Sequence, residues 1–481
     1  KLPESHDFRK EHPPEFMKTA GIIAEYNPFH RGHEYQIQYT KEKLGADYVI
    51  VTMSGDYVQR GTPALISKHL RAEMALRCGA NLVLEMPVSV STASAEAFAM
   101  GGVSLLDSLG VVDMLCFGSE SGEISTLQKL AEILVKEPDE YKHLLKSFLS
   151  QGLSFPTARS QALTEYLKAV CRLTKANTVE DSATFSSNAA RILNTPNNIL
   201  GIEYCKALLR LNSKIQPVTI RRKGMGYHDT FADSGSLTET PSVSGTNTTG
   251  SSLSGTPDSF SPSFASASAI RNLLCQKTSD PESPCPSGNA GLPTTPADIL
   301  ASQIPENAFF IFKNILDSGE FLTEDALDPI LAYYHQKKNI AELASCQDVS
   351  GNLAQRIMNQ KNLLHGFSQS AALLKTKELT QTRIQRALLH IILGIHHTPE
   401  RIPYARVLGF RKESSPLLKE IKKNSRIPVI TKLADASRQL DLSSQALLEE
   451  TTFASNLYES LLSQKSGKTY IHEYEKKIII I

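Results

Sequence analysis

Residues 21–35 read GIIAEYNPFHRGHEY, and the interpretation of the whole chain grows from them. Residues 20–25 (AGIIAE) form an apolar run of strand character. A Tyr-Asn-Pro turn follows, and His30-Arg31-Gly32-His33 then opens onto the helical stretch EYQIQYTKEKLG. The switch from strand to helix leaves the helix's first N–H groups unsatisfied and its positive dipole end exposed, which suits an anion. Gly32 permits close backbone approach. His30 and His33 lie one turn apart on the same side, where both donate to phosphate oxygens and stabilise charge developing at an α-phosphate. A bare H-x-G-H is a short pattern that a capping or core histidine also satisfies. The strand before it and the helix after it favour the polyanion. Zinc is disfavoured, and no metal site is expected, because no third ligand falls at a matching spacing.

Outward from this turn, further apolar runs at 48–54, 81–87 and 113–119 alternate with helical stretches. Strands spaced by helices predict a parallel sheet covered on both faces. The expected fold class is therefore α/β, with an N-terminal Rossmann-like sheet. In such sheets ligands bind beyond the C-terminal strand ends, where the loops 26–33, 54–62, 87–94 and 118–122 all fall. Residues 124–212 read as helical, followed by a strand in QPVTIRRKG. From 297 onward the chain reads as helix again, so residues 297–481 are expected to be a mostly α-helical, RNA-binding domain.

Bulk properties narrow the function. The chain has 481 residues and a formal net charge of +1, so no global field demands nucleic acid or membrane and any basic patch is local. Seven scattered cysteines without a C-x-x-C pair argue against a disulfide framework or zinc ribbon and for a reducing cytoplasm. No apolar run reaches the ~20 residues of a membrane span. Residues 1–16 read as a polar extension without a signal h-region. Residues 17–275 read as the nucleotide-binding domain, interrupted at 232–263, where Ser, Thr, Gly and Pro supply 23 of 32 residues. Such composition predicts a disordered insertion. Residues 276–296 read as a linker.

A second turn, SASAIR (266–271), places Ser266 and Ser268 at a helix start with Arg271 one turn inside, a cradle for β and γ phosphates. Asn197 and Asn198 after Pro196 suggest another helix start, either reading adenine or ribose or merely capping. Arg222 and Lys223 end a strand on the ligand edge. Gln59, Arg60 and Gly61 lie on that edge too, where Arg60 suits pyrophosphate or RNA, and Lys68 and Arg71 on the next helix read as a solvated face, with the same contact as the alternative. Between 371 and 432 there are thirteen basic and four acidic residues, a local charge of +9. Such asymmetry predicts a surface for a nucleic-acid backbone, with Lys375, Lys377, Arg383, Arg386, Arg406 and Arg411 as phosphate contacts. Tyr404 and Phe410 read as core, with base stacking as the alternative.

Together GIIAEYNPFHRGH, MSGDYVQRGTPALISKHLRAEMAL, LVLEMP, SAEAFAMGGVSLL, FGSESG, PNNILGIEY and SASAIR resemble the bacterial tRNA(Met) cytidine acetate ligase family, of the HIGH-type nucleotidyltransferase superfamily. The resemblance extends through NLAQRI, KTKELTQTRIQRALLHIILGI and YARVLGFRKES, to about residue 465. It implies an ATP-dependent ligase that makes acetyl-adenylate and then acetylates the wobble cytidine of elongator tRNA(Met) to N4-acetylcytidine. ATP, acetate and elongator tRNA(Met) would be its partners, Mg²⁺ would accompany ATP, and no membrane or obligatory protein partner is implied. Carried over by motif, the ATP site comprises Ile23, Ala24, Glu25, Tyr26, Asn27, Pro28, Phe29, His30, Arg31, Gly32 and His33, on to Gln36, with Gly118, Asn197, Arg222 and Lys223. His30 and His33 are then the catalytic pair. Two alternatives stand beside this reading: a small-molecule adenylyl- or cytidylyltransferase, and a non-catalytic RNA-binding protein with a structural ATP site.

Overall fold

The computed structural model describes residues 17–173, 192–193, 195–222, 266–279 and 296–481. The expected extension at 1–16, the insertion at 232–263 and Lys223 lie outside the described residues, as does the linker between 280 and 295.

Apolar β-branched runs build the sheet. β1 (Thr19–Ala24), β2 (Tyr48–Ser54), β5 (Leu82–Met86), β6 (Met114–Ser119) and β7 (Gln216–Arg221) are parallel, in the spatial order β5-β2-β1-β6-β7. Between β2 and β5 a small hairpin, β3 (Tyr57–Val58) and β4 (Thr62–Pro63), stands apart from the sheet. Every expected strand in this half is present, the limits of the first four shifted by at most one residue and the last, expected in QPVTIRRKG, ending at Arg221. The order reverses between β1 and β6, and in open α/β sheets ligands bind at that switch point.

Successive side chains of a strand face opposite ways, and both faces of β1 are buried. Ile23 joins a core with the helices Ala95–Ser108, Ile124–Lys136, Phe155–Leu173 and Pro196–Arg210. Ile22 joins the opposite core, with Arg31–Glu42, Lys68–Arg77 and Glu306–Ser318. Helix Ala95–Ser108 lies very close on β1: a Cβ at Gly21 would stand 2.6 Å from Leu106, and one at Gly102 2.9 Å from Ile23.

The segment 297–481 is mostly helical, and it also completes the sheet. β8 (Ala405–Phe410) runs antiparallel to β5, and β9 (Val429–Ile430) and β10 (Ile479–Ile480) pair with β8. A third core holds its helices together, and Tyr57 and Val88 of the first half are embedded in it. The helix that starts after Ser266 continues to Ser279, past the expected boundary at 275, and the next begins at Pro296.

Buried ions join the halves. Lys68 Nζ lies 2.6 Å from Glu85, 3.1 Å from Glu473 and 3.6 Å from Asp56, and Arg406 bonds both Glu85 and Glu473. Burial opposes charge on Glu473, yet Lys68, His69 and Arg406 hold its carboxyl far below the usual range. Removing one partner of such a group costs about 3–5 kcal/mol, because it leaves an uncompensated buried charge. Lys68 and Arg71 are fully buried, which corrects their reading as a solvated face. Arg71 instead donates to the carbonyls of Glu25, Ser54, Gly55 and Ile66, tying the loops after β1 and β2 together.

Candidate functional site

Beyond the C-terminal ends of β1 and β6 opens a cavity of about 810 Å³. Six helices present their first residues to it: Arg31–Glu42, Ala95–Ser108, Phe155–Leu173, Pro196–Arg210, Ala267–Ser279 and Gln381–Leu393. Seven arginines and five acids line it. Each helix start contributes partial positive charge, and at five of the six a side chain (His30, Ser94, Ser266, Thr380 or Glu120) already accepts from one or two of the first N–H groups. Six of them together with an excess of arginine make a seat for a polyanion.

The histidines sit at its centre. His30 is the N-cap of its helix. Gly32 N–H donates to His30 Nδ1 at 3.1 Å, and His30 N–H donates to His33 Nδ1 at 3.3 Å, a reciprocal capping box made of two imidazoles. The rings stack with centroids 3.7 Å apart. A ring nitrogen that accepts carries no proton, so both neutral rings hold theirs on Nε2. Burial, with repulsion from Arg222 and Arg271, pushes His30 down to about 3. Burial, then His30 and Arg222, lowers His33 as well. At neutral pH the pair is therefore two uncharged Nε2–H donors. The functional and capping readings coincide here: the Nδ1 atoms close the helix, and closing it orients the donors.

Most of the expected ATP site is brought together. Ile23, Ala24, Glu25, Tyr26, Asn27, His30, Gly32, His33, Gln36, Gly118, Asn197, Arg222, Ser266, Ser268 and Arg271 all line the cavity. Pro28, Phe29 and Arg31 do not: Phe29 is buried beside Tyr26 and His33, and Arg31 is exposed. The SASAIR turn joins the histidine turn directly. Ser266 caps its helix through Ala269 N–H (3.2 Å), while Arg271 donates to Asn27 O (2.5 Å) and to Ser268 Oγ (3.0 Å). Asn197 gives its amide nitrogen to Glu120 at 2.7 Å, and Asn198 N–H donates to the same carboxylate at 2.9 Å. Glu120 thus occupies this helix start, a role that sequence reasoning missed although FGSES ends a strand on the ligand edge.

The basic stretch does not form one surface. Lys375 and Lys377 are exposed, and Arg383 and Arg386 line the same cavity as the histidines. Arg406 is corrected: it is 5% exposed and spent on Glu85 and Glu473, because YARVLGF is a strand in the sheet rather than helix surface. Arg411 lies elsewhere. It follows β8 at the N-terminal edge of β5, donating its N–H to Asn81 O (3.0 Å) and its guanidinium to Leu76 O (3.3 Å), at the opposite end of the sheet from the cavity. Tyr404 is buried as core.

No helix among the described residues is long and apolar enough to cross a membrane. Among the described residues no group of three or more His, Cys, Asp or Glu is placed to hold a metal ion.

Comparison with known proteins agrees with this geometry. The HIGH Nucleotidyl Transferase family model matches residues 17–244 and 253–473. The tRNA(Met) cytidine acetate ligase of Acetivibrio thermocellus is 35% identical over 473 residues, covering 97% of this chain and 100% of that protein. That of Clostridium kluyveri is 38% identical over 438 residues, covering 89% and 93%. The crystal structure of Thermotoga maritima TmcAL bound with alpha-thio ATP superposes with a TM-score of 0.77 at 28% identity, over 97% of this chain and 100% of that one. The matched residues include the histidine turn at the sheet's switch point, and the chain belongs to the tRNA(Met) cytidine acetate ligase family of HIGH nucleotidyl transferases.

Proposed function

We propose that this protein is an ATP-dependent ligase that joins acetate to a cytidine of tRNA(Met). Acetate attacks the α-phosphorus of ATP, pyrophosphate leaves, and the resulting acetyl-adenylate yields its acetyl group to the exocyclic amine of the wobble cytidine in elongator tRNA(Met). The products are N4-acetylcytidine and AMP.

The observation that carries this is the stacked His30–His33 pair, two neutral Nε2–H donors in a cavity fed by six helix starts. The donors stabilise the charge that grows on the α-phosphate as acetate adds, and fixed donors need no reorganisation when it grows. Arg271, Ser266 and Ser268 hold the distal phosphates from the adjoining turn. Gly118, Asn197 and Arg222 face the nucleoside, with Lys223 beside Arg222 in the chain. ATP arrives with Mg²⁺ on its phosphates as part of the substrate. Lys375, Lys377 and Arg383 take phosphates of the tRNA near the mouth, Arg386 being buried and paired with Asp348, and the odd, scattered cysteines suit a reducing cytoplasm. The second step requires little beyond holding amine and acyl carbon in line.

The test is mass spectrometry of tRNA after incubation with the protein, ATP and isotopically labelled acetate. The label is expected in N4-acetylcytidine of elongator tRNA(Met). Acetyl-adenylate formed without any label reaching tRNA would favour the small-molecule adenylyltransferase instead.

A further inference from the structure

One group in the cavity is assigned no role by the nucleotide chemistry. Asp348 lies on the wall contributed by the helical half, 2.9 Å through Oδ2 from Arg386 Nε and 3.9 Å from His390 Nδ1. Its backbone is left-handed, at φ +64°, a conformation that Asn and Asp tolerate better than most side chains. Its Oδ1 finds no hydrogen-bond partner among the described residues. One turn before Arg386, Arg383 also lines the cavity, and its buried Nε is likewise unpartnered among the described residues. The wall is held firmly: Gly61, at φ +80°, presses so close to this helix that a Cβ there would stand 2.3 Å from Arg386 N.

A fixed carboxylate beside a guanidinium offers an acceptor next to donors. A cytosine edge offers the complement, an exocyclic N4–H donor next to the N3 acceptor, and carboxylates accept from that amine. Uracil presents the reverse, an O4 acceptor next to an N3–H donor, and would set oxygen against oxygen. Enzymes that act on a base read it in this way, along its Watson–Crick edge in a side-chain pocket.

We propose that Asp348, oriented by Arg386, is the specificity-determining residue for the acceptor base: it receives the exocyclic amine of a cytosine and rejects a uracil. This rests on the ligase reading above. The experiment uses Asp348→Asn and Asp348→Gly, both of which accept a left-handed backbone, so that one variant remains if the other fails to fold. Three quantities are measured: acetate-dependent exchange of pyrophosphate into ATP without RNA, acetyl transfer to a tRNA(Met) transcript, and affinity for transcripts with cytidine or uridine at the acceptor position. Transfer falls about 10- to 100-fold relative to exchange, the effect of one base-edge contact, and the preference for cytidine over uridine in binding shrinks by a similar factor. Parallel loss of exchange and transfer with cytidine preference intact overturns the assignment, as does unchanged transfer. Absence of exchange in the unmodified protein would instead overturn the ligase reading.

Discussion

The turn at residues 27–33 gathers its chemistry within seven residues, whereas the basic stretch 371–432 scatters its cations among an exposed segment, the cavity wall, the sheet interior and the sheet's far edge. In the turn, capping, ring stacking and proton placement are settled by neighbours in the chain: His30 Nδ1 takes the Gly32 amide and His33 Nδ1 takes the His30 amide. In the stretch, one strand redistributes everything. β8 carries Arg406 into the sheet beside Glu85 and Glu473, and delivers Arg411 and Lys412 to the sheet's far edge. Arg426 there bonds Asp107, just before β6. A geometry set by i,i+3 contacts survives folding unchanged, and a patch drawn from linear charge density does not stay together.

The largest effect to expect follows from the turn. His33→Ala removes a donor from the reacting phosphate and should lower acetylation of tRNA by about 10²- to 10³-fold. His33→Ala that keeps more than a tenth of the activity would turn the pair back into an ordinary cap.

The same contrast explains what could be read in advance. The parallel strands, their order of appearance and the histidine turn were legible because hydrophobic period and helix-start chemistry are local. β8 was not: ARVLGF is a six-residue apolar run inside a long helical region, and such a run does not distinguish strand from buried helix. Lys68 and Arg71 look like surface residues in sequence, since their partners Glu85, Glu473 and the loop carbonyls come from up to some 400 residues away. Glu120, in the loop after β6, was hidden for the same reason, its partner Asn197 lying 77 residues on at the start of a helix.

Next in size is Arg406→Met, which leaves the buried carboxylates of Glu85, Glu473 and Asp56 to share Lys68 and should cost about 3–5 kcal/mol in urea denaturation. The folded fraction should bind tRNA with an unaltered salt dependence. A loss of tRNA affinity at undiminished stability would restore Arg406 to the RNA surface.

Smaller changes separate the ends of the basic stretch. Lys377→Gln and Arg383→Gln should each reduce the slope of log affinity against log salt by about one. Lys422→Gln with Lys423→Gln, beyond β8, should leave that slope alone. Equal effects from both pairs would mean that the tRNA wraps the far edge as well.

The smallest concerns acid. Because His30 is held down to about 3, the folded protein refuses a proton that the unfolded chain accepts below its ordinary pKa near 6.5. Stability present above pH 6.5 is therefore lost progressively as pH falls toward 3. His30→Gln should make the decline in urea midpoint between pH 6.5 and 4 shallower, and an unchanged slope would show that His30 titrates normally.

The most direct measurement needs no RNA: exchange of labelled pyrophosphate into ATP by the purified protein, with and without acetate. If the histidine pair works on the α-phosphate, exchange requires acetate and vanishes when His30 and His33 are both replaced by alanine. Exchange that survives the double replacement, or that never depends on acetate, would contradict the assignment of the pair to that step.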